Sequence, residues 1–324
     1  MKVLVTGAAG YIGSIVCERL LAAGHVPIAL DNLTYGVREA VPAGVTLDEA
    51  SLTNPDEMNW IFQDHPGIEA VVHLAAESAI PLSMTDPGIF YHVNVQGGLN
   101  LLDAMREYGV KKFVFSSTSS VYAPIYNRPM DEHALPSPSS PYGASKLAFE
   151  GLLEWYAQVH GFQHVIFRYF NVNGATPTRG EFPYHRTRLI PQALGVAQGL
   201  QEALELYGRD YPTPDGTCVR DYLHVQDVAD AHILALDKIE QLPEAARVFN
   251  LGIGKSFSNL EVIQACRDVS GHPIPIIDRP RRPGDPPQLT CNPGRANRVL
   301  GWQPQYTDLR PIVETAWKWQ QEHP

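Results

Sequence analysis

Cysteine is scarce in this 324-residue chain: Cys17, Cys218, Cys266 and Cys291 are the only four, and they lie far apart. None forms a Cys-x-x-Cys pair, which argues against a disulfide framework or a zinc centre and leaves buried, reduced thiols as the expectation. Long apolar runs are also missing. No segment approaches the roughly 18 to 20 apolar residues of a membrane span, and the apolar opening at residues 3–5 runs into Thr6-Gly7 without a small-residue cleavage site. The sequence therefore predicts a soluble cytoplasmic chain with no membrane partner. Positive charge is in deficit, with 25 Lys and Arg against 35 Asp and Glu and a net charge of −10. That balance, with its scattered basic residues, is the wrong sign for nucleic acid. An anionic ligand would have to be attracted by individual arginines and helix N-termini. There is no internal repeat and no low-complexity segment.

What is present is enough apolar residue, 44% of the chain, to bury one large α/β domain with a smaller lobe. Short β-branched runs at Lys2–Thr6, 26–30, 70–74 and 112–116 read as strands. Between them, Ile12, Val16 and Leu20 recur at helical spacing, and a long helix is predicted over 88–108 with Leu99, Leu102 and Met105 on one face. Near-continuous apolar strands alternating with helices predict a doubly wound parallel sheet covered on both faces. Beyond about residue 175 the pattern loosens into Pro- and Gly-rich loops with shorter elements, although Phe249-Asn250-Leu251-Gly252 reads as a strand entering a turn. A smaller C-terminal lobe, interleaved with the sheet, is expected there.

The run from Val3 to Gly13 reads strand, glycine turn, helix start. Gly7, Gly10 and Gly13 would let backbone approach a pyrophosphate, and the helix N-terminus at Tyr11 and Ile12 would offer free N–H groups. Gly-x-x-Gly-x-x-Gly departs from the commoner Gly-x-Gly-x-x-Gly, and a plain tight turn would need glycines too. Asp31, closing the second strand about 20 residues on, supplies the missing context: its carboxylate can accept from adenosine ribose hydroxyls and would repel a 2′-phosphate, favouring NAD over NADP.

Tyr142 and Lys146 stand four apart, on one helix face. A nearby ammonium, together with a cationic nicotinamide, would favour the phenolate and make Tyr142 a general base for a sugar hydroxyl. Tyr-x-x-x-Lys alone is a frequent accident of helix surfaces. Here it follows Phe113-Val114-Phe115-Ser116-Ser117-Thr118, a strand running into hydroxyl residues, one of which could bond the same substrate oxygen.

Taken together, Gly7/Gly10/Gly13, Ser116-Ser117-Thr118 with Val121-Tyr122, and Tyr142/Lys146 resemble the extended short-chain dehydrogenase/reductases over nearly the whole chain. The segment from Tyr207-Gly208-Arg209-Asp210 through Arg220-Asp221-Tyr222-Leu223-His224, with Arg168-Tyr169-Phe170-Asn171 and Arg282-Pro283-Gly284-Asp285, looks like the signature of the UDP-glucose 4-epimerases. The resemblance implies a tightly bound NAD, a UDP-sugar substrate and a homodimer packed through helices near 88–108 and 142–160. It implies residues 1–175, with a return segment at about 221–252, as the NAD-binding Rossmann domain, and 176–324 as mainly the UDP-sugar lobe.

Residue by residue, it implies Tyr142 as base, Lys146 as its tuner and holder of the nicotinamide ribose, and Thr118 as partner of the reacting hydroxyl. Asn32, Ser51, Leu52, Leu74, Ala75, Ala76, Asn94, Ser116 and Tyr169 fall at cofactor positions. Phe170, Asn171, Leu189, Glu205, Tyr207, Arg220, Arg282 and Asp285 fall at substrate positions, with Tyr207 against uracil. Leu289 matches a position whose bulk limits the sugar 2-substituent. The pattern departs in places. Ser51 stands where the family usually has an adenine-contacting Asp, with Glu49 near it. His73-Leu74-Ala75-Ala76-Glu77-Ser78 looks more like nucleotide-sugar 4,6-dehydratases. Arg188 replaces a frequent asparagine, either as a further phosphate contact or as a solvated side chain.

Three activities compete. A 4-epimerase needs the Tyr142, Lys146 and Thr118 set. A 4,6-dehydratase needs a further acid–base pair after the threonine, where Ser119-Ser120 stand instead, and serine does not ionise usefully near neutral pH. A non-catalytic nucleotide-binding regulator on the same fold is opposed by the intact set. The sequence leaves open which sugar is used: galactose, N-acetylhexosamine, pentose and uronate 4-epimerases share this machinery.

Overall fold

The computed structural model describes every residue except 124–127, 183–187, 244, 245, 283, 284 and 324. Pro283-Gly284, at the centre of one signature motif, thus lie outside the described residues. The first half runs through β1 (Lys2–Thr6), β2 (Val26–Asp31), β3 (Thr46–Glu49), β4 (Ala70–His73), β5 (Lys112–Thr118) and β6 (Gln163–Tyr169). After these come β7 (Asn171–Asn173), β8 (Leu204–Tyr207), β9 (Val219–Arg220), β10 (Tyr222–His224) and β11 (Val248–Leu251), then β12 (Phe257–Ser258), β13 (Ile276–Arg279) and β14 (Gln288–Leu289). Seven of them form one sheet in the order β11-β6-β5-β4-β1-β2-β3, every neighbouring pair parallel. The remaining strands pair as β10 with β7, β13 with β8, and β9 between β12 and β14. The fold is the doubly wound α/β sheet expected from the strand composition.

Side chains alternate across such a sheet, so each face builds its own core. On one face Val3, Val5, Val72 and Val114 pack with Ile15, Val16 and Leu20 of α1 (Tyr11–Ala22). On the other, Leu4, Val71, Phe113 and Phe115 meet α2 (Pro55–Asp64). Next along the chain are two short helices, α3 (Ile80–Ser83) and α4 (Pro87–Tyr91), then α5 (Gly98–Glu107) and α6 (Pro141–His160). Leu101, Leu102 and Met105 of α5 and Phe149 and Leu153 of α6 complete the second core. Ser140 caps α6 by accepting from the Gly143 N–H, with Pro141 at its first position, and Gly161 ends the helix in the left-handed region at φ +69°.

Two sequence expectations change. The single helix over 88–108 is α4 and α5 joined by a π-helical turn, His92–Gly97, that carries Asn94. Such a turn holds an extra residue relative to an α-helix and often marks a site. The chain after residue 175 is also richer in helix than its loosened pattern suggested. It contains α7 (Leu189–Ala197), α8 (Val225–Lys238), α9 (Asn259–Ser270) and α10 (Leu309–Glu322). Leu194 of α7, Ile263 of α9 and Val313 of α10 share a third core, whereas Val228, Ala231 and Ala235 of α8 join the first. The Pro- and Gly-rich connections between these helices hid their periodicity.

The face shared by α5 and α6 tolerates no extra atom at Gly98, where an added Cβ would lie 2.3 Å from Cε2 of the buried Phe149 ring. Gly98→Ala is expected to destabilise the fold by about 1–3 kcal/mol through overpacking, despite alanine's better helix propensity. A urea midpoint equal to or above the parent's would contradict that packing.

Candidate active site

The strand order reverses between β1 and β4, so their carboxyl ends open a crevice. Gly7 turns the chain there at φ +69°, and a Cβ on it would come 2.7 Å from the Ala75 nitrogen at the end of β4. A Cβ on Gly13 would fall 2.0 Å from the Gly7 carbonyl oxygen. Gly10 precedes α1 without a capping side chain, leaving its first N–H groups open to an anion. Asp31, at the end of β2, accepts from the Ala9 N–H and the Leu33 N–H, each at 2.9 Å. Burial pushes its carboxyl up against those two bonds. Each oxygen retains a second lone pair for a diol. Asn32 Oδ1 accepts from the Thr34 N–H at 3.1 Å, which sets the turn that follows.

Thr6 ties this floor together. Its hydroxyl accepts from the Leu74 and Ala75 N–H groups at 3.2 and 3.3 Å and lies 2.7 Å from His73 Nδ1. His73 is held neutral because burial takes it down to about 3. Ala76 leads on to Glu77, where Asn94 Oδ1 accepts from the Glu77 N–H at 2.8 Å, and Asn94 Nδ2 donates to the Glu77 carbonyl and to Ser145 Oγ, both at 3.0 Å. Asn94 therefore fastens the loop after β4 to α6, and both its amide hydrogens are used within the protein. Ser51 is engaged within the protein. Its hydroxyl bonds Thr53 at 2.9 Å and its N–H donates to Glu57 at 2.6 Å. Glu49 is paired with Arg38 at 2.5 Å. Leu52 is buried, and its carbonyl accepts from Asn100 Nδ2 at 2.9 Å.

Thr118, Tyr142 and Lys146 converge at the carboxyl end of β5. Thr118 is the last residue of that strand, in register with Tyr169 of β6, so the ladder fixes its backbone. Gly143 lets α6 start directly above, since a Cβ there would lie 2.3 Å from the Ser120 carbonyl oxygen. The Tyr142 phenol lies beside the Thr118 side chain, and its ring meets Phe90 edge-on at 6.3 Å. Lys146, only 3% exposed, donates from Nζ to the Ser116 carbonyl at 2.9 Å and stands 4.8 Å above the Phe115 ring. Burial brings its ammonium down to about 7, opposed by the Glu150 carboxylate. Burial likewise raises Tyr142, opposed by the Thr118 side chain. Within the protein alone, lost hydration is the largest influence on both groups.

Tyr169 completes the floor, with its phenol 2.6 Å from His232 Nε2. His232 Nδ1 lies 2.8 Å from the Val228 carbonyl, which makes it the N–H donor and Nε2 the acceptor. Phe170 is buried and donates its N–H to the Leu251 carbonyl at 3.1 Å.

On the lobe side, Asn171 donates its N–H to the Asp221 carbonyl at 2.9 Å. Arg220 is buried, within 3.8 Å of Asp285. Leu289 is 9% exposed and in register with Arg220. Tyr207 carries the Arg282 guanidinium 3.8 Å above its ring and donates its phenol to Glu205, which also binds Arg279. Leu189 opens α7 and packs against the third core.

Arg188 pairs with Glu181 at 2.7 Å, donates to the Val172 carbonyl at 2.7 Å and stacks 4.4 Å above Tyr11. The Tyr11 phenol donates to the Gly174 carbonyl at 2.6 Å. Its side chain thus joins the start of α1 to the segment after β7.

The sequence reading missed Asp221. Fully buried, its carboxylate accepts from the Ile253, Gly254 and Cys291 N–H groups at 2.8, 2.9 and 3.2 Å, while its own N–H donates to the Leu289 carbonyl at 3.1 Å. It binds the strands that carry Asn171, Arg220 and Leu289. A carboxylate flanked by Arg220 and Tyr222 in a run of apolar residues was the signal available. Among the described residues no cluster of metal-ligating side chains occurs, and no helix is long and apolar enough to cross a membrane.

The glycine cradle, the uncapped start of α1 and the buried Asp31 fit a dinucleotide. A family profile described as NAD dependent epimerase/dehydratase family matches residues 3–252. The chain is 43% identical to a UDP-glucose 4-epimerase of Lacticaseibacillus casei, covering 100% of this chain and 98% of that one. It is 45% identical to one of Corynebacterium glutamicum, covering 98% and 95%. The crystal structure of UDP-glucose 4-epimerase from Bifidobacterium longum, in complex with NAD+ and UDP, superposes with a TM-score of 0.94 at 34% identity, covering 100% and 99%.

Proposed function

The chain belongs to the NAD-dependent epimerase/dehydratase family, and from that premise we propose that it is a UDP-glucose 4-epimerase, interconverting UDP-galactose and UDP-glucose through a transient 4-keto sugar. The observation that carries this reading is the convergence of Thr118, Tyr142 and Lys146 beside the glycine crevice, with Ser119-Ser120 next in sequence. No acid–base pair for eliminating water follows the threonine, which separates this chain from a 4,6-dehydratase.

Gly7, Gly10, Gly13 and the start of α1 would hold the pyrophosphate of NAD, Asp31 the adenosine ribose, and Lys146 the nicotinamide ribose. Bound in its oxidised form, NAD supplies a hydride acceptor for the sugar C4 and returns the same hydride, so no net oxidation results. Tyr142 takes the 4-hydroxyl proton and later gives it back, while Thr118 holds that oxygen in line. Arg220, Arg282 and Asn171 hold the UDP portion, with Tyr207 against the uracil. Residues 1–175, with the return at 221–252, serve the dinucleotide, and 176–324 mainly the UDP-sugar. A homodimer through α5 and α6 is supported by Trp155 and Val159, one turn apart on α6 and 64% and 67% exposed. Four free, buried cysteines support a reducing, cytoplasmic setting.

The purified protein is expected to convert UDP-galactose without added cofactor and to release NAD on denaturation. Tyr142→Phe should retain UDP binding and lose nearly all turnover, and Thr118→Ala should lose on the order of 10²-fold. Full activity in Tyr142→Phe would sink the mechanism.

Leu289 shares the ladder with Arg220 and so borders the substrate. Leucine is intermediate in bulk, so weaker activity on UDP-N-acetylglucosamine is expected. Relative to the parent, Leu289→Tyr should lower kcat/KM for the N-acetyl sugar and Leu289→Cys raise it, by about 10–200-fold per step. A constant ratio of the two sugars' kcat/KM, with only Tm shifting, would make Leu289 a packing residue.

For the assembly, sedimentation equilibrium should give twice the chain mass for the parent and a single chain mass for Trp155→Glu. A monomeric parent, or a variant that remains dimeric, contradicts the α5–α6 interface.

A further inference from the structure

Helix α6 places Tyr142, Lys146 and Glu150 at successive steps of four along one face. Only the first two enter the reaction described above. Glu150 is 5% exposed, deep under the site, and its carboxylate accepts from two adjacent strands. In β5 the donor is the Ser117 hydroxyl. In β6 the donor is Arg168, through Nε at 3.0 Å and Nη2 at 2.5 Å. Ser117 and Arg168 are register partners in the ladder. Ser117 stands between Ser116, whose carbonyl accepts from Lys146, and Thr118, whose side chain lies beside the Tyr142 phenol. Arg168 spends its remaining arm on the Tyr122 phenol at 2.8 Å, and that phenol donates to Asn250 of β11 at 2.7 Å.

A buried ion pair is poor evidence for stability, because apolar residues of similar volume commonly do as well. Its location is more informative than its presence. We infer that Glu150 is a positioning residue of the reaction: it locks the helix bearing Tyr142 and Lys146 to the strand end bearing Thr118, and it sets a negative charge facing Lys146 from one turn along the helix. This rests on the epimerase reading.

The groups facing Lys146 are few. Tyr142 and Glu150 lie on its own helix, the neutral His73 faces it from β4, the Phe115 ring and Ser116 carbonyl from β5, and Arg168 of β6 stands behind Glu150. Glu150 thus carries the opposing charge. Without it, burial acts alone, and Lys146 releases its proton at lower pH.

The test uses the holoenzyme with UDP-galactose, comparing the parent, Glu150→Gln, and Glu150→Gln combined with Arg168→Met, which leaves no unpaired arginine. In both variants kcat should fall about 10- to 100-fold, as for a misplaced acid–base group. The alkaline limb of the kcat–pH profile should move to lower pH, less in the double variant, while KM stays within about threefold. A double variant with the parent's kcat and pH profile, whatever its Tm, overturns the inference and leaves the epimerase reading standing. Unfolding of both variants also overturns it, making the pair a determinant of the fold. A parent without turnover removes both.

Discussion

The reversal of strand order between β1 and β4 is the constraint on which the site depends. The chain leaves β1 toward β2 and β3 on one side, and the sheet resumes through β4, β5 and β6 on the other, so no crossover helix covers the gap at the carboxyl ends. The Gly7 turn, the Thr6 hydroxyl and the Leu74 and Ala75 N–H groups it accepts from border that gap. Close approach is what makes it narrow. Gly7, Gly13 and Gly143 each sit where a Cβ would collide with backbone, so glycine there is dictated by distance between chains.

The ion pairs explain how an acidic protein with a net charge of −10 holds its arginines in place. Arg188, Arg279 and Arg281 are paired with Glu181, Glu205 and Asp210 at 2.7 Å. Arg220 and Asp285 are farther apart, at 3.8 Å. A looser pair gives up less Coulomb energy when its partner is exchanged, and Arg220 is also held by the Val219 carbonyl at 2.9 Å. Pre-positioned arginine loses less conformational freedom on binding.

Much of this was legible before any coordinates. Glycine spacing marked the turn, Asp31 its partner, and apolar strands the parallel sheet, because each reflects a local steric or solvation rule. The four-residue step from Tyr142 to Lys146 likewise needs only helix geometry. What escaped depends on contacts between distant segments. Asp221 gained its role from N–H groups at residues 253, 254 and 291, and Glu150 from strands on which nothing in its own helix bears. The partners of Arg188 were equally hidden, because Glu181 and Tyr11 approach it only in the folded chain. The expected influence of Lys146 on Tyr142 counted charge and omitted burial.

The π-turn at His92–Gly97 sets a limit of another kind. Asn94 reaches both Glu77 and Ser145 from this turn because the backbone there holds one residue more than an α-helix would. Deleting a residue to regularise the helix would rotate everything on one side of it by about 100°. The asparagine amide and the apolar stripe of α5 could not then both face inward. Surface loops elsewhere in the chain can change length freely, whereas along this helix the residue count itself is under constraint, and substitutions are the only route by which it can vary.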